Sequence, residues 1–119
     1  MATRGKSARQ KGTSYERTVA IKFREMGWSE CETSRFASKK MDDMKVDLVE
    51  TEPFYVQCKA VENLGPAHNV LAEMPDKGRI NIVFHKRNRK GTIVAMSEES
   101  FWRLAEMAGL CDTKKEEDL

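Results

Sequence analysis

Four side chains of this sequence could do chemistry together: Glu16, Asp47, Gln57 and Lys59. In FYVQCKAV, residues 54 to 61, strand alternation puts Tyr55, Gln57 and Lys59 on one face and Phe54, Val56, Cys58 and Ala60 on the other. The second set is a core face, whereas the first holds two polar groups that a buried sheet must satisfy. In KVDLVET, residues 45 to 51, Asp47 points away from Val46 and Leu48. A hairpin between these two runs, closed at Glu52 and Pro53, brings Asp47 near Gln57 and Lys59. Glu16 belongs to a helix expected over 13–27, on the flank of the stripe formed by Tyr15, Val19, Phe23 and Met26, and so turns toward the sheet.

Two carboxylates and an amide oxygen suit a hard cation, Mg2+ or Mn2+, that keeps several of its waters. Such an ion polarises a phosphodiester oxygen and acidifies a bound water. A nearby Lys can orient or deprotonate that water and offset developing charge. The set therefore has the parts needed for phosphodiester hydrolysis, although each member also has a plainer use. Glu16 stands three residues after Thr13, the spacing of a capping box. Asp47 and Lys59 could form a structural ion pair. Cys31, Cys58 and Cys111 are odd in number and widely spaced, which suits neither disulfides nor zinc, and His68 and His85 read as incidental.

The elements that must position these residues follow from periodicity and breakers. After the first helix, SECETSRFA (29–37) reads as a polar edge strand and SKKMDDMK as a charged loop. The two β-rich runs come next, then a short helix over AHNVLAEM between Pro66 and Pro75. INIVFHK (80–86) and GTIVAM (91–96) are strands joined by the basic turn RNRKG. A last helix starts at a Ser97 cap, with Phe101, Leu104, Ala105 and Ala108 on its buried stripe. The order α-β-β-β-α-β-β-α gives an α/β domain with a central mixed five-stranded sheet flanked by helices.

KGTSYERTVAIKFREMGW, VDLV and YVQCKA, read together, resemble the PD-(D/E)XK nuclease superfamily, and the Lys-Gly-Thr-x-Tyr-Glu-Arg opening is most similar to archaeal-type Holliday junction resolvases. The similarity runs from about Lys11 to Ala60. It implies a restriction-endonuclease-like fold in which Glu16 is the first-helix acid, Asp47 the central metal-binding acid, Gln57 the position usually held by Asp or Glu, and Lys59 the catalytic Lys. The Cys58 carbonyl becomes a further metal ligand. Arg35 and Ser38 are the nearest matches to the Arg and Ser that such resolvases carry before the motif Asp. The resemblance also implies a homodimer making paired cuts in branched DNA. Val46 replaces the motif Pro, and Gln57 removes a negative charge, which Asp42 or Asp43 restores only if their loop folds back. A duplex or restriction-type nuclease, or a non-catalytic DNA-binding module, are the alternatives.

Length and charge bound these readings. At 119 residues the chain holds one domain, with 39% hydrophobic and 34% charged residues. Lacking a membrane-length apolar run and a leader-like apolar centre, it reads as cytoplasmic. Net charge is only +2, but its distribution is uneven. Residues 1–12 read as a basic flexible arm with Arg4, Lys6, Arg9 and Lys11, residues 13–110 as the nuclease domain, and residues 111–119 as an acidic tail. DNA phosphates are expected to meet Arg4, Lys6, Arg9, Lys11, Arg35, Lys39 and Lys40, with Lys86, Arg87, Arg89 and Lys90 as a second basic group that reads equally well as a solvated turn.

Overall fold

The computed structural model describes the backbone of residues 2–111 and the side chains of residues 9–111. Helix α1 runs from Ala2 to Glu25. Tyr15, Val19, Ala20 and Phe23 form its buried stripe. Its end is a Schellman motif: the Trp28 N–H donates to the Phe23 carbonyl at 3.0 Å and the Gly27 N–H to the Arg24 carbonyl at 3.2 Å. Gly27 has φ 121°, where a Cβ is disfavoured. The motif's apolar contact is the edge-on packing of Trp28 against Phe23, with centroids 5.1 Å apart.

The helix begins eleven residues before the expected Thr13, so residues 2–12, expected as a basic arm, continue it. Ala, Arg, Lys and Gln dominate this stretch and favour helix, which outweighs Gly5 and Gly12. Thr13 consequently lies inside the helix, and the capping-box reading of Glu16 is corrected. The side chains of Arg4 and Lys6, and residues 112–119 of the expected acidic tail, lie outside the described residues.

Among the described residues five strands form, but in two sheets and not in one. Strand β1 (Glu32–Thr33) replaces the longer edge strand expected over 29–37, and two short helices follow it, α2 (Ser34–Ala37) and α3 (Lys39–Asp43). Strand β2 (Leu48–Val49) pairs antiparallel with β1, Thr33 opposite Leu48. The expected hairpin between 45–51 and 54–60 does not form a ladder. Glu50 turns the chain at φ 59° directly after β2, and a single backbone hydrogen bond ties Asp47 to Val56.

Strand β3 (Phe54–Ala60) runs parallel to β4 (Ile80–Arg87), through a crossover that contains α4 (Ala67–Ala72). Strand β5 (Gly91–Ala95) then folds back antiparallel on β4. Helix α5 (Glu98–Met107) is capped as expected, with the Ser100 N–H donating to Ser97 Oγ at 3.0 Å. Phe101 departs from its expected burial and is 51% exposed.

Helices cover both faces of the parallel pair, so β3 is buried on both. Val56 and Cys58 join Tyr15, Val19 and Phe23 under α1, while Tyr55 packs with Val46, Val70, Met74 and Val83 on the other side. The chain is thus an α/β domain with a parallel and an antiparallel pairing in its three-stranded sheet. Among the described residues, no helix is long and apolar enough to cross a membrane.

Candidate active site

Asp47 is held from three sides. Val46 before it and Leu48 after it are fully buried, in different clusters, so the chain cannot rotate between them. Its N–H donates to the Val56 carbonyl at 2.8 Å, its own carbonyl accepts from the Ser34 N–H at 2.7 Å, and its Oδ2 accepts from the Cys58 N–H at 2.7 Å. The carboxylate therefore sits at the edge of β3 that β4 leaves free, beside Lys59, and reaches it without the hairpin ladder.

Glu16 comes to the same place from α1, where it is only 3% exposed. Arg35 of α2 meets it, Nε lying 3.1 Å from Oε2 and Nη2 donating to Oε1 at 3.4 Å. The shorter contact is Coulombic and not an aligned hydrogen bond, since Oε2 has no hydrogen-bond partner. Burial raises the Glu16 carboxyl above its ordinary range and the charge of Asp47 raises it further, with Arg35 opposing both. Burial also raises Asp47, while the Cys58 N–H and the Lys59 ammonium pull it back down. Asp42 lies on α3, not on the expected loop, and its charge adds to the raising of both acids.

Gln57 and Lys59 share the Tyr55 face of β3, and the parallel register sets Val83 opposite Gln57 and His85 opposite Lys59. Gln57 is 3% exposed, and its Oε1 is buried with no hydrogen-bond partner. The Cys58 thiol faces the α1 side, held protonated by burial and by the nearby charges of Asp47 and Glu16. Only its backbone carbonyl is suited to a hard cation.

The other expected residues are dispersed. Ser38 Oγ accepts from the Met41 N–H at 3.3 Å as the cap of α3. It lines a separate open cavity with Cys31, Met41, Val49 and Glu50, away from Asp47 and Lys59. Arg35 is engaged by Glu16. Arg9 and Lys11 on α1 and Lys39 and Lys40 on α3 are exposed.

No family model, no curated protein and no solved structure matches this chain.

The residues themselves are then the test of whether a cation fits. Among the described residues, no group of three or more His, Cys, Asp or Glu forms that could hold a metal ion. What exists is a pair of carboxylates, with Glu16 Oε2 ion-paired to Arg35 but without an aligned hydrogen bond, and an unpartnered oxygen on the neutral Gln57. A buried amide oxygen without a partner beside two acids raised by burial leaves room for further positive charge, even with Arg35 on Glu16. An oxygen-preferring ion that retains water fits this donor set; a site made wholly of protein ligands does not.

Two residues near this site have surroundings that the sequence alone does not give. His85 is buried opposite Lys59, with Nε2 2.7 Å from the Val61 carbonyl just beyond β3. Alternation in INIVFHK groups Asn81, Val83 and His85, but the parallel register that sets them beside β3 had no local signal. Tyr15, next to Glu16, has a buried hydroxyl raised to about 12, mainly by burial, with Thr92 opposing the rise. The Lys86 ammonium lies 5.9 Å from its ring centre.

Proposed function

We propose that this chain is a divalent-metal-dependent DNA endonuclease of the PD-(D/E)XK superfamily, selective for branched DNA and of the Holliday junction resolvase type. The observation that carries the reading is the convergence of Asp47, fixed against Cys58, with buried Glu16 and with Lys59 one residue further along β3. Mg2+ or Mn2+, bound there, supplies Lewis acidity and an acidified water. Asp47 and Glu16 would be its charged ligands, with the Gln57 amide oxygen and the Cys58 carbonyl as neutral ones. Lys59 orients the attacking water toward phosphorus and offsets charge in the transition state. Ser38, by contrast, is engaged as a helix cap and takes no step in this mechanism.

Exposed Arg9, Lys11, Lys39 and Lys40 are the side chains for phosphate contacts, which give affinity and salt dependence without sequence readout. The reading carries with it a homodimer, since paired cuts in a junction need two sites, and a cytoplasmic location. It is tested by cleavage of a four-way junction and a matched linear duplex in Mg2+ and in Mn2+. Junction cutting that is lost in Asp47→Asn supports it, and equal cutting of both substrates indicates a duplex nuclease instead.

A second reading is favoured by the ion pair of Arg35 with Glu16 and by the neutral Gln57. Both lessen the site's charge, as in a non-catalytic DNA-binding module that keeps the fold. Absence of cutting of any DNA form in either metal selects it.

A further inference from the structure

Strand β5 is an open edge of the three-stranded sheet, whose order is β3-β4-β5; among the described residues no strand pairs with its outer side. It carries an uncovered apolar side chain on each face, Ile93 at 57% and Val94 at 48% exposure. On the Val94 face lies an open apolar cleft of about 250 Å3 lined by Phe23, Met26, Phe84, Met96 and Leu104. Unpaired apolar edges are templates for strand addition, and monomeric proteins blunt them with charge, Pro or bulges inside the strand. GTIVA contains none of these.

Charge lies instead at the two ends, with opposite sign. Arg87, Arg89 and Lys90 precede the strand, and Glu98 and Glu99 follow it at the start of α5, all of them exposed.

We infer that β5 pairs antiparallel with β5 of a second copy of this chain about a two-fold axis, joining two three-stranded sheets into one of six strands. The order of charges selects the occupant. Antiparallel self-pairing centred on Ile93 sets the basic turn of one copy beside Glu98 and Glu99 of the other, and symmetry repeats the contact at the far end. Parallel self-pairing would set like charges together at both ends. A partner strand of uniform charge would satisfy one end and oppose the other. The inference deepens the homodimer of the proposed function by naming its surface, but strand pairing is read in solution without DNA and does not need the cleavage chemistry.

Two charge-reversed proteins test it, R87E/K90E and E98K/E99K, by sedimentation velocity across a concentration series, each alone and then as an equimolar mixture. The expected result is a wild-type dimer, at least about tenfold weaker self-association for each variant, and recovery of dimer in the mixture, where every end contact is again of opposite sign. Ile93→Lys, at an exposed position that leaves the helix cap untouched, is expected to be monomeric with the far-UV circular dichroism spectrum of the wild-type protein. Asp47→Asn is expected to dimerise like wild type, so loss of pairing and loss of cleavage are read separately. A wild-type protein that stays monomeric at high concentration, variants that associate as tightly as wild type, or a mixture that does not recover would each overturn the inference.

Discussion

Asp47 Oδ2 accepts the backbone N–H of Cys58 at 2.7 Å, so one carboxylate oxygen is committed to the edge of β3 and the acid is held one residue from Lys59. The bond has two effects. It stabilises the ionised form of an acid that burial would otherwise neutralise, and it fixes the carboxylate's direction without help from the side chain's own rotamer preferences.

Asp47→Asn keeps an acceptor for the Cys58 N–H while removing the charge, whereas Asp47→Ala leaves that N–H unpaired at a cost of about 1–3 kcal/mol. We expect both to lower metal-dependent cleavage at least about a hundredfold, with junction binding retained, and only Asp47→Ala to melt at lower temperature. Lys59→Ala should behave like Asp47→Asn. Gel cleavage, gel shift and thermal melts on the same preparations check this; wild-type cutting by Asp47→Asn would remove the mechanism.

Metal-free stability should fall as pH rises. Glu16 and Asp47 are both raised above ordinary values of 4.5 and 3.8 in the folded chain. In the window above those values the folded state holds protons that the unfolded state has lost, so protonation favours folding there and the advantage disappears as pH climbs through the folded pKa values. Melts at a series of pH values from the acidic range to neutrality should show this decline, flattened in Asp47→Asn. Added Mg2+ should raise the melting temperature more at neutral than at acidic pH.

Gln57→Glu places a carboxylate where an unpartnered amide oxygen is buried. Without metal it should lower stability, because an uncompensated buried charge is costly. With Mg2+ it should bind the ion more tightly, with cutting retained, by calorimetric titration. Unchanged metal affinity would put the Gln57 oxygen outside the coordination sphere.

Phe23 closes the aromatic cluster, its ring 5.1 Å from Trp28, 6.5 Å from Phe54 and 5.8 Å from Phe84. Phe23→Ala should cost about 3–5 kcal/mol in denaturant unfolding. That is a large share of a domain's typical stability. Because the cluster holds α1 on the sheet, the same variant should weaken metal binding through Glu16 in proportion to its loss of fold.

Several elements were legible from local pattern alone. The alternation of FYVQCKAV separates Val56 and Cys58 from Tyr55, and the structure buries these in different clusters. INIVFHK, GTIVAM, the α4 segment and the Ser97 cap also follow from short-range periodicity and breakers, with ends displaced by at most two residues. The extent of α1 was not legible, because Thr13 and Glu16 carry a capping signature that a continuous helix overrides. The split of the sheet was equally hidden: β2 chooses β1 over β3 through the turn at Glu50 and the pairing of Thr33 with Leu48.

Residue order along the chain settled which side chains are available and which face of its own element each one takes, since both depend on bonds and rotations within a few residues. Only tertiary structure decided that Arg35 would meet Glu16, that His85 would lie opposite Lys59, that Ser38 would be drawn into a helix cap, and that β5 would remain an open edge. Each of these joins segments distant in sequence or depends on what an element does not touch. Such contacts arise from the burial of whole faces against one another, and no local spacing encodes them.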